Sequence, residues 1–133
     1  MPIHIHWDND TKTILRHDFE GNWTWDEYFE LMQKRNAHMA SVDHQVDVIA
    51  NMKPGIMPSG FALSSAKTSL RSAPPNHGLF VIVTNTVIST FLDLFKQFDR
   101  ETGLILREAD SVEEAREIIR LERQKNSNKD KQR

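Results

Sequence analysis

The sequence predicts an α/β fold in which a mixed β-sheet opens with a β-hairpin and about four helices pack against it. Residues 3–7 alternate between apolar and polar side chains, which is the period of a half-buried strand. From residue 24 onward, amphipathic segments with helical spacing alternate with short apolar segments, as in βαβ units with parallel strands. Residues 79–83 are apolar without alternation, as expected of a central strand covered on both faces.

Length and composition predict a soluble, cytoplasmic protein with one domain over residues 1–122 and a polar, disordered tail over 123–133. The 133 residues are 38% hydrophobic and 27% charged, and there is no cysteine, which excludes disulfides and thiol chemistry. The net charge of −2 predicts no general attraction to nucleic acid or to a membrane surface. No signal peptide is expected, and the apolar run at 79–83 is too short to span a bilayer.

The first two strands are predicted to form a hairpin. Residues 8–12 have turn chemistry, and residues 14–20 form the returning strand. Alternation along that strand places Leu15, His17 and Phe19 on one face.

The first helix has an explicit start signal. Thr24 at the N-cap and Glu27 three residues later form a capping box, and Trp23 before the cap can pack on Tyr28. Helical spacing through about residue 40 predicts a core-facing stripe. Its members are Trp25, Phe29, Met32, Asn36 and Met39.

The remaining elements follow from apolar runs and capping residues. They are a strand over 46–52, a helix from Ser59 to about residue 72, the strand over 79–83, a helix ending near residue 103, a short edge strand over 104–106, and a helix capped by Asp110 and Ser111 that carries its last apolar residue at Leu121. The predicted order is β-β-α-β-α-β-α-β-α.

Ser59 and Gly60 form the candidate site. A serine at the start of a helix lies where free N–H groups and the helix dipole favour negative charge, so Ser59 is a candidate phosphoacceptor or anion contact. The competing interpretation is that Ser59 only caps the helix.

Two chemical alternatives involve histidine. His4 and His6 have metal-compatible spacing and His17 could approach from the next strand, although the same pattern suits a polar outward face. An enzyme would need two of Asp47, His44 and His77 to converge in a cleft. The motifs GxGxxG, GxxxxGK[ST] and GxSxG do not occur, and no catalytic residue, cofactor or metal is predicted.

The hairpin, the helix opened by residues 19–28, and the strand leading into Ser59-Gly60 resemble the STAS domain, most closely its SpoIIAA-like branch of anti-sigma-factor antagonists. The resemblance covers roughly residues 1–122. Typical members carry Asp-Ser-Ser/Thr-Gly where this chain has Met57-Pro58-Ser59-Gly60, so only the last two positions match. The resemblance implies a non-enzymatic switch, which binds a kinase or an anti-sigma factor and is controlled by phosphorylation at the start of this helix.

The expected partner surface lies beside that helix start and is rich in apolar residues. Its members are Asn51, Met52, Ile56, Met57 and Phe61. A homodimer is a further expectation. The alternative function is a module that binds a small apolar or anionic, lipid-like ligand in a pocket lined by Leu63, Phe91 and Phe95.

Overall fold

The computed structural model describes residues 3–56, 73–84 and 105–131, with side chains as far as residue 127. The elements in this part of the chain are β1 (Ile3–Trp7), β2 (Ile14–Phe19), β3 (Gly21–Asn22), α1 (Trp25–Ala40), β4 (Val46–Asn51), β5 (Gly55–Ile56), β6 (His77–Val83), β7 (Leu106–Ala109) and α2 (Val112–Lys131). The predicted helices over 59–72 and 85–103 lie outside the described residues.

The main sheet has five strands in the order β1-β2-β4-β6-β7. β1 and β2 are antiparallel, while β2, β4, β6 and β7 run parallel to one another. The predicted α/β fold, with a mixed sheet that opens with a hairpin, is therefore confirmed. In the hairpin turn, Oδ1 of Asn9 accepts hydrogen bonds from the backbone N–H groups of Thr13 and Ile14.

Each face of the sheet has its own hydrophobic core. On one face Leu15, Phe19 and Val48 pack with Met32 and Met39 of α1. On the other face a second cluster joins β4, β6 and β7 to α2, and its members include Ile49, Val81, Val83, Ala115 and Ile119. β4 and β6 are thus covered on both faces, which explains their continuous apolar sequences.

α1 begins as predicted but buries a different face. Oγ1 of Thr24 accepts a hydrogen bond from the backbone N–H of Glu27, and the Glu27 carboxylate accepts one from the Thr24 N–H. The predicted stripe was wrong at Phe29, whose side chain is 37% exposed. Leu31 and Arg35 are buried instead, because α1 is rotated so that the line through these residues and Met39 faces the sheet.

A two-stranded parallel ladder, β3 with β5, was not predicted. Its strands have two residues each, so they carry no periodicity that a sequence reading could detect. Among the described strands β7 lies at an edge of the main sheet, as predicted, but it begins at Leu106, the residue at which the prediction ended it.

α2 continues to Lys131, well past residue 122, where the sequence suggested the start of a disordered tail. Arg, Gln and Lys are good helix formers, so the loss of apolar residues after Leu121 does not end the helix. Arg123 also lies within this extension and contacts the sheet. Neither α1 nor α2, the two described helices, has an apolar stretch long enough to cross a membrane.

Candidate functional site

The parallel strands β4, β6 and β7 end at one edge of the sheet, which we call the carboxyl edge. Ligands of open α/β sheets bind preferentially at this edge. Asn51 is the last residue of β4, and Met52 follows it; both side chains are partly buried. The structure therefore places the first two predicted partner-surface residues at the edge where binding is expected.

Asn51 belongs to a polar network rather than to a free surface. Its Nδ2 donates to Oδ1 of Asp18, 3.1 Å away, and the same oxygen accepts from Nε of Arg16 at 2.9 Å. Arg16 also lies 3.5 Å from Oδ1 of Asp8, which accepts from Arg116 of α2 at 2.8 Å. The hydrogen bond and charge of Arg116 lower the pKa of Asp8 below its ordinary value. Asn51 is thus held in place and is better suited to shaping the edge than to binding by itself.

The loop after β4 is fixed by three hydrogen bonds. The Met52 N–H donates to the carbonyl of Val83, 3.1 Å away, and the Gly55 N–H donates back to the Met52 carbonyl at the same distance. Nζ of Lys53 donates to the carbonyl of Asp110 at 2.9 Å, beyond the end of β7. The loop is therefore bound to the carboxyl ends of β6 and β7.

The ladder of β3 and β5 then turns Ile56 outward. Gly55 packs so tightly against Trp23 that an added Cβ atom would lie 3.0 Å from the indole Nε1. A larger residue at this position would have to displace the indole, so glycine suits this close approach. Ile56 pairs with Asn22 and is 59% exposed, the largest exposure among the large apolar side chains of the described residues.

Aromatic rings support this corner of the molecule. Trp23 packs edge-on against Phe19 and Trp25, with ring centroids 5.0 and 5.1 Å apart. Tyr28 lies 6.2 Å from Trp23, so the predicted contact between these two residues is present. Tyr28 in turn contacts Phe29 at 5.7 Å. A continuous chain of rings therefore connects the β5 strand to the exposed Phe29 on α1.

The remaining predicted site residues lie outside the described residues. This holds for Ser59 and Gly60 and for two members of the predicted partner surface, Met57 and Phe61. It holds also for the pocket residues of the alternative function, Leu63, Phe91 and Phe95. The phosphoacceptor, the full partner surface and the ligand pocket remain predictions.

The opposite, amino edge of the sheet contains Asp47. Its side chain is buried, and Oδ1 accepts from the Leu79 N–H at 2.8 Å and from Nε2 of Gln45 at 3.3 Å. Oδ2 lies 2.9 Å from Nε and 2.8 Å from Nη2 of Arg123. Gly78 allows this arrangement, since a Cβ atom there would collide with both Asp47 and Gln45. Both oxygens of Asp47 are therefore occupied by structural hydrogen bonds.

Asp47 and His77 line one cavity of about 320 Å³, as an enzyme would require. His77 is nevertheless buried and stacks on Phe80 with ring centroids 5.9 Å apart. Burial lowers the pKa of His77 to about 4, so the ring is neutral at physiological pH. His44 is exposed and lies within hydrogen-bonding distance of the Lys12 carbonyl, 2.9 Å away. Among these three residues the structure shows no available acid–base pair.

The metal alternative is not supported by the geometry. His17 pairs with Ile5 and is buried on the α1 face, whereas His4 and His6 are exposed on the other face of β1. Because neighbouring residues of a strand point to opposite faces, the three rings cannot converge. Within the described ranges, no group of three or more His, Asp or Glu side chains could hold a metal ion.

Sequence reasoning missed the burial of two basic side chains. Arg35 is fully buried, and its Nε donates to Oδ1 of Asn36 at 3.1 Å. Burial, with a contribution from the Arg35 charge, lowers the pKa of His17 to about 3. Helical spacing from Met32 and Met39 would have identified the Arg35 position, but a charged residue was assumed to face solvent.

Comparison of this chain with protein-family models, with curated proteins and with solved structures finds no match.

Proposed function

We propose that this protein is a non-enzymatic, STAS-like regulatory domain of the cytoplasm that binds a partner protein at the carboxyl edge of its sheet. The binding surface is the segment 51–61, and the partner is a kinase or an anti-sigma-like protein. Phosphorylation of Ser59 controls the complex, because a phosphate adds a charge of about −1.5 to −2 within this segment.

The observation that carries the proposal is the exposure of Ile56 on a rigid support. Hydrogen bonds to Val83 and Asp110 fix the preceding loop, and Trp23 fixes Gly55. An apolar side chain that is 59% exposed on ordered backbone loses little conformational entropy when a partner covers it. Such a residue is a suitable anchor for a protein interface.

The state of the titratable groups supports a non-enzymatic role. A general base needs an accessible lone pair near its reacting group. Both carboxylate oxygens of Asp47 accept hydrogen bonds from the backbone or from Arg123, and His77 is buried against Phe80.

Crosslinking followed by a binding measurement tests the proposal. A photo-crosslinking amino acid at position 56 captures the partner in the native cell, and the purified partner is then titrated against variants. We expect Ile56→Asp to weaken binding at least tenfold. Ile105→Asp is the matched control, because Ile105 is also exposed (44%) but precedes β7 at the opposite edge of the sheet. Equal loss in both variants, or no loss in either, would refute this binding surface.

Phosphorylation is tested separately with the captured kinase, or with the serine kinase that accompanies the captured partner. Mass spectrometry should find phosphate on Ser59, and Ser59→Ala should remove both the phosphate and its effect on binding. Phosphate confined to Ser64, Ser65 or Ser69 would contradict the proposed control.

A further inference from the structure

The surface around Ile56 is acidic. Both described helices begin at the carboxyl edge, and both carry acids in their first turns. Five carboxylates at this edge form no ion pair with any described residue, and all five are at least partly exposed. They are Glu20, Asp26, Glu27, Asp110 and Glu114. Among the described residues at this edge, Lys53 is the one basic side chain that is not held in an ion pair; its Nζ binds a backbone carbonyl.

The sequence supplies no further positive charge at this edge. Residues 54–66, from β5 into the predicted helix that begins at Ser59, contain no charged side chain. Residues 73–92, through β6 to the next predicted helix, contain no lysine, arginine, aspartate or glutamate. The dipoles of α1 and α2 add about half a positive charge at each helix start, which together offset about one carboxylate. The edge therefore keeps a clear excess of negative charge.

The opposite, amino edge carries both signs. Its exposed charged side chains include Asp10 and Lys12 of the hairpin turn, Asp43 of the loop before β4, and Lys125 near the far end of α2. Opposite charges are interspersed here, whereas the carboxyl edge carries almost a single sign. The described part of the molecule is thus electrically polarised, and the proposed partner surface lies at its negative end.

The nearest of these carboxylates lies close enough to act on a partner that covers Ile56. Glu20 directly precedes β3, whose Asn22 pairs with Ile56. Two residues along one strand and one step between strands separate the backbones of Glu20 and Ile56 by about 8–10 Å. This distance is comparable with the Debye length of about 8–10 Å at physiological salt, so the charge is only partly screened at Ile56.

We propose that the partner covers Ile56 with an apolar pocket that is rimmed by lysine or arginine side chains. Lysine and arginine complement the carboxylates, and such complementarity speeds association and rejects wrong partners. Nucleic acid, an anionic membrane and the same edge of a second copy would all be repelled. A metal ion is not held either, because no group of three or more acidic or histidine side chains in the described ranges could bind one. The inference rests on the proposed function and adds the chemistry of the partner.

Binding kinetics of the partner captured at position 56 test the inference. The affinity should fall at least tenfold when salt is raised from about 50 mM to about 500 mM, because screening shortens the Debye length. Glu20→Lys should lower the association rate several-fold and leave the dissociation rate almost unchanged, as is typical of charges at the rim of an interface. Asp43→Lys, the same reversal in an exposed loop at the amino edge, is the matched control and should change neither rate.

A probe of known chemistry tests the surface without the native partner. The probe is a short poly-L-lysine peptide, titrated into the full chain while backbone amides are followed by NMR. Shifts should concentrate in residues 20–27, 53–56 and 110–114, and poly-L-glutamate of the same length should shift none of them. Shifts spread evenly over the chain, or centred on the amino edge, would overturn the inference.

The two proposals fail in different ways. Loss of binding in Ile56→Asp, together with an affinity that neither salt nor Glu20→Lys changes, would keep the binding surface and overturn its basic partner. A captured partner that binds Ile56→Asp as tightly as the natural chain would refute the proposed surface and this inference with it. Circular dichroism checks that Glu20→Lys folds. If it does not fold, Glu20→Gln replaces it and should lower the association rate in the same direction by a smaller factor.

Discussion

At the scale of single residues, Asp47 and Arg123 form an ion pair whose two side chains differ in solvent exposure. The Asp47 side chain is only 3% exposed, whereas that of Arg123 is 40% exposed. If its partner is removed, Arg123 can still be hydrated, but the buried Asp47 carboxylate would lose its cation. Removing the Arg123 side chain and removing the Asp47 charge should therefore lower the free energy of unfolding by different amounts.

We predict that Arg123→Met destabilises the protein more than Asp47→Asn does. Asp47→Asn keeps the acceptor for the Leu79 N–H and should cost about 1–3 kcal/mol, the scale of a charged hydrogen bond. Arg123→Met should cost about 3 kcal/mol or more, because it leaves a buried charge unpaired. Urea unfolding of both variants measures the difference. Glu117→Gln, in an exposed pair on the same helix, is the control and should leave the midpoint unchanged.

Two buried histidines make stability dependent on pH. Burial lowers the pKa of His17 to about 3 and that of His77 to about 4, from 6.5. Below pH 6.5 the unfolded chain therefore binds protons that the folded chain excludes, so stability falls as pH decreases through this range.

We predict a loss that approaches about 1.4 kcal/mol per pH unit for each of these histidines near pH 5, and that continues toward pH 4 mainly through His17. Urea unfolding at several pH values measures the slope. His17→Leu should remove the contribution of His17 to the pH dependence of the free energy of unfolding. The double variant His17→Leu/His77→Leu should make this free energy depend still less on pH. An unchanged slope in the double variant would mean that other groups control the acid response.

At the scale of elements, two arginine side chains of α2, Arg116 and Arg123, bind it to the sheet. Arg116 forms a bidentate ion pair with Asp8, with both N–O distances 2.8 Å. About two turns later, Arg123 bonds to Asp47 and, through Nη2, to the Thr13 carbonyl at 2.8 Å. The second of these arginines lies beyond residue 122, in the stretch that the sequence suggested was a disordered tail.

We predict that truncation distinguishes the two interpretations of this stretch. A chain ending at residue 122 loses Arg123 and should be destabilised by about 3 kcal/mol, as for an unpaired buried carboxylate. A chain ending at residue 126 keeps Arg123 and should be close to the full chain in stability. Thermal and urea unfolding of the two chains compare them; equal stability would show that the Arg123 contact contributes little.

At the scale of the whole molecule, protection of backbone amides against hydrogen exchange should decrease from the centre of the sheet to its edge strands. β4 and β6 occupy central positions and contribute to both cores, with Val48, Ile49 and Val81 fully buried. Local opening is least frequent where burial is most complete.

We predict that the slowest amide hydrogen exchange occurs in β4 and β6, with faster exchange in β7. The amide groups of β1 that do not bond to β2 should exchange fastest within the main sheet. Exchange measured by NMR gives the order residue by residue. Equal protection of β7 and β4 would contradict the picture of a sheet with a stable centre and a weaker edge.

The sequence by itself determined the features that depend on near neighbours. Alternation identified β1 and β2, the Thr24–Glu27 capping box identified the start of α1, and an unbroken apolar run identified β6 as central. In each case the signal lies within a few residues, because periodicity and capping are local properties.

Only the tertiary structure decided which polar groups are buried and what they contact. Arg35 lies in the core because of the rotation of α1, and Ile56 is exposed because β5 pairs with β3. Asp47 binds both Leu79 and Arg123, and the latter is 76 residues away along the chain. Contacts of this kind leave no periodic trace in the sequence, since they depend on how separate elements meet.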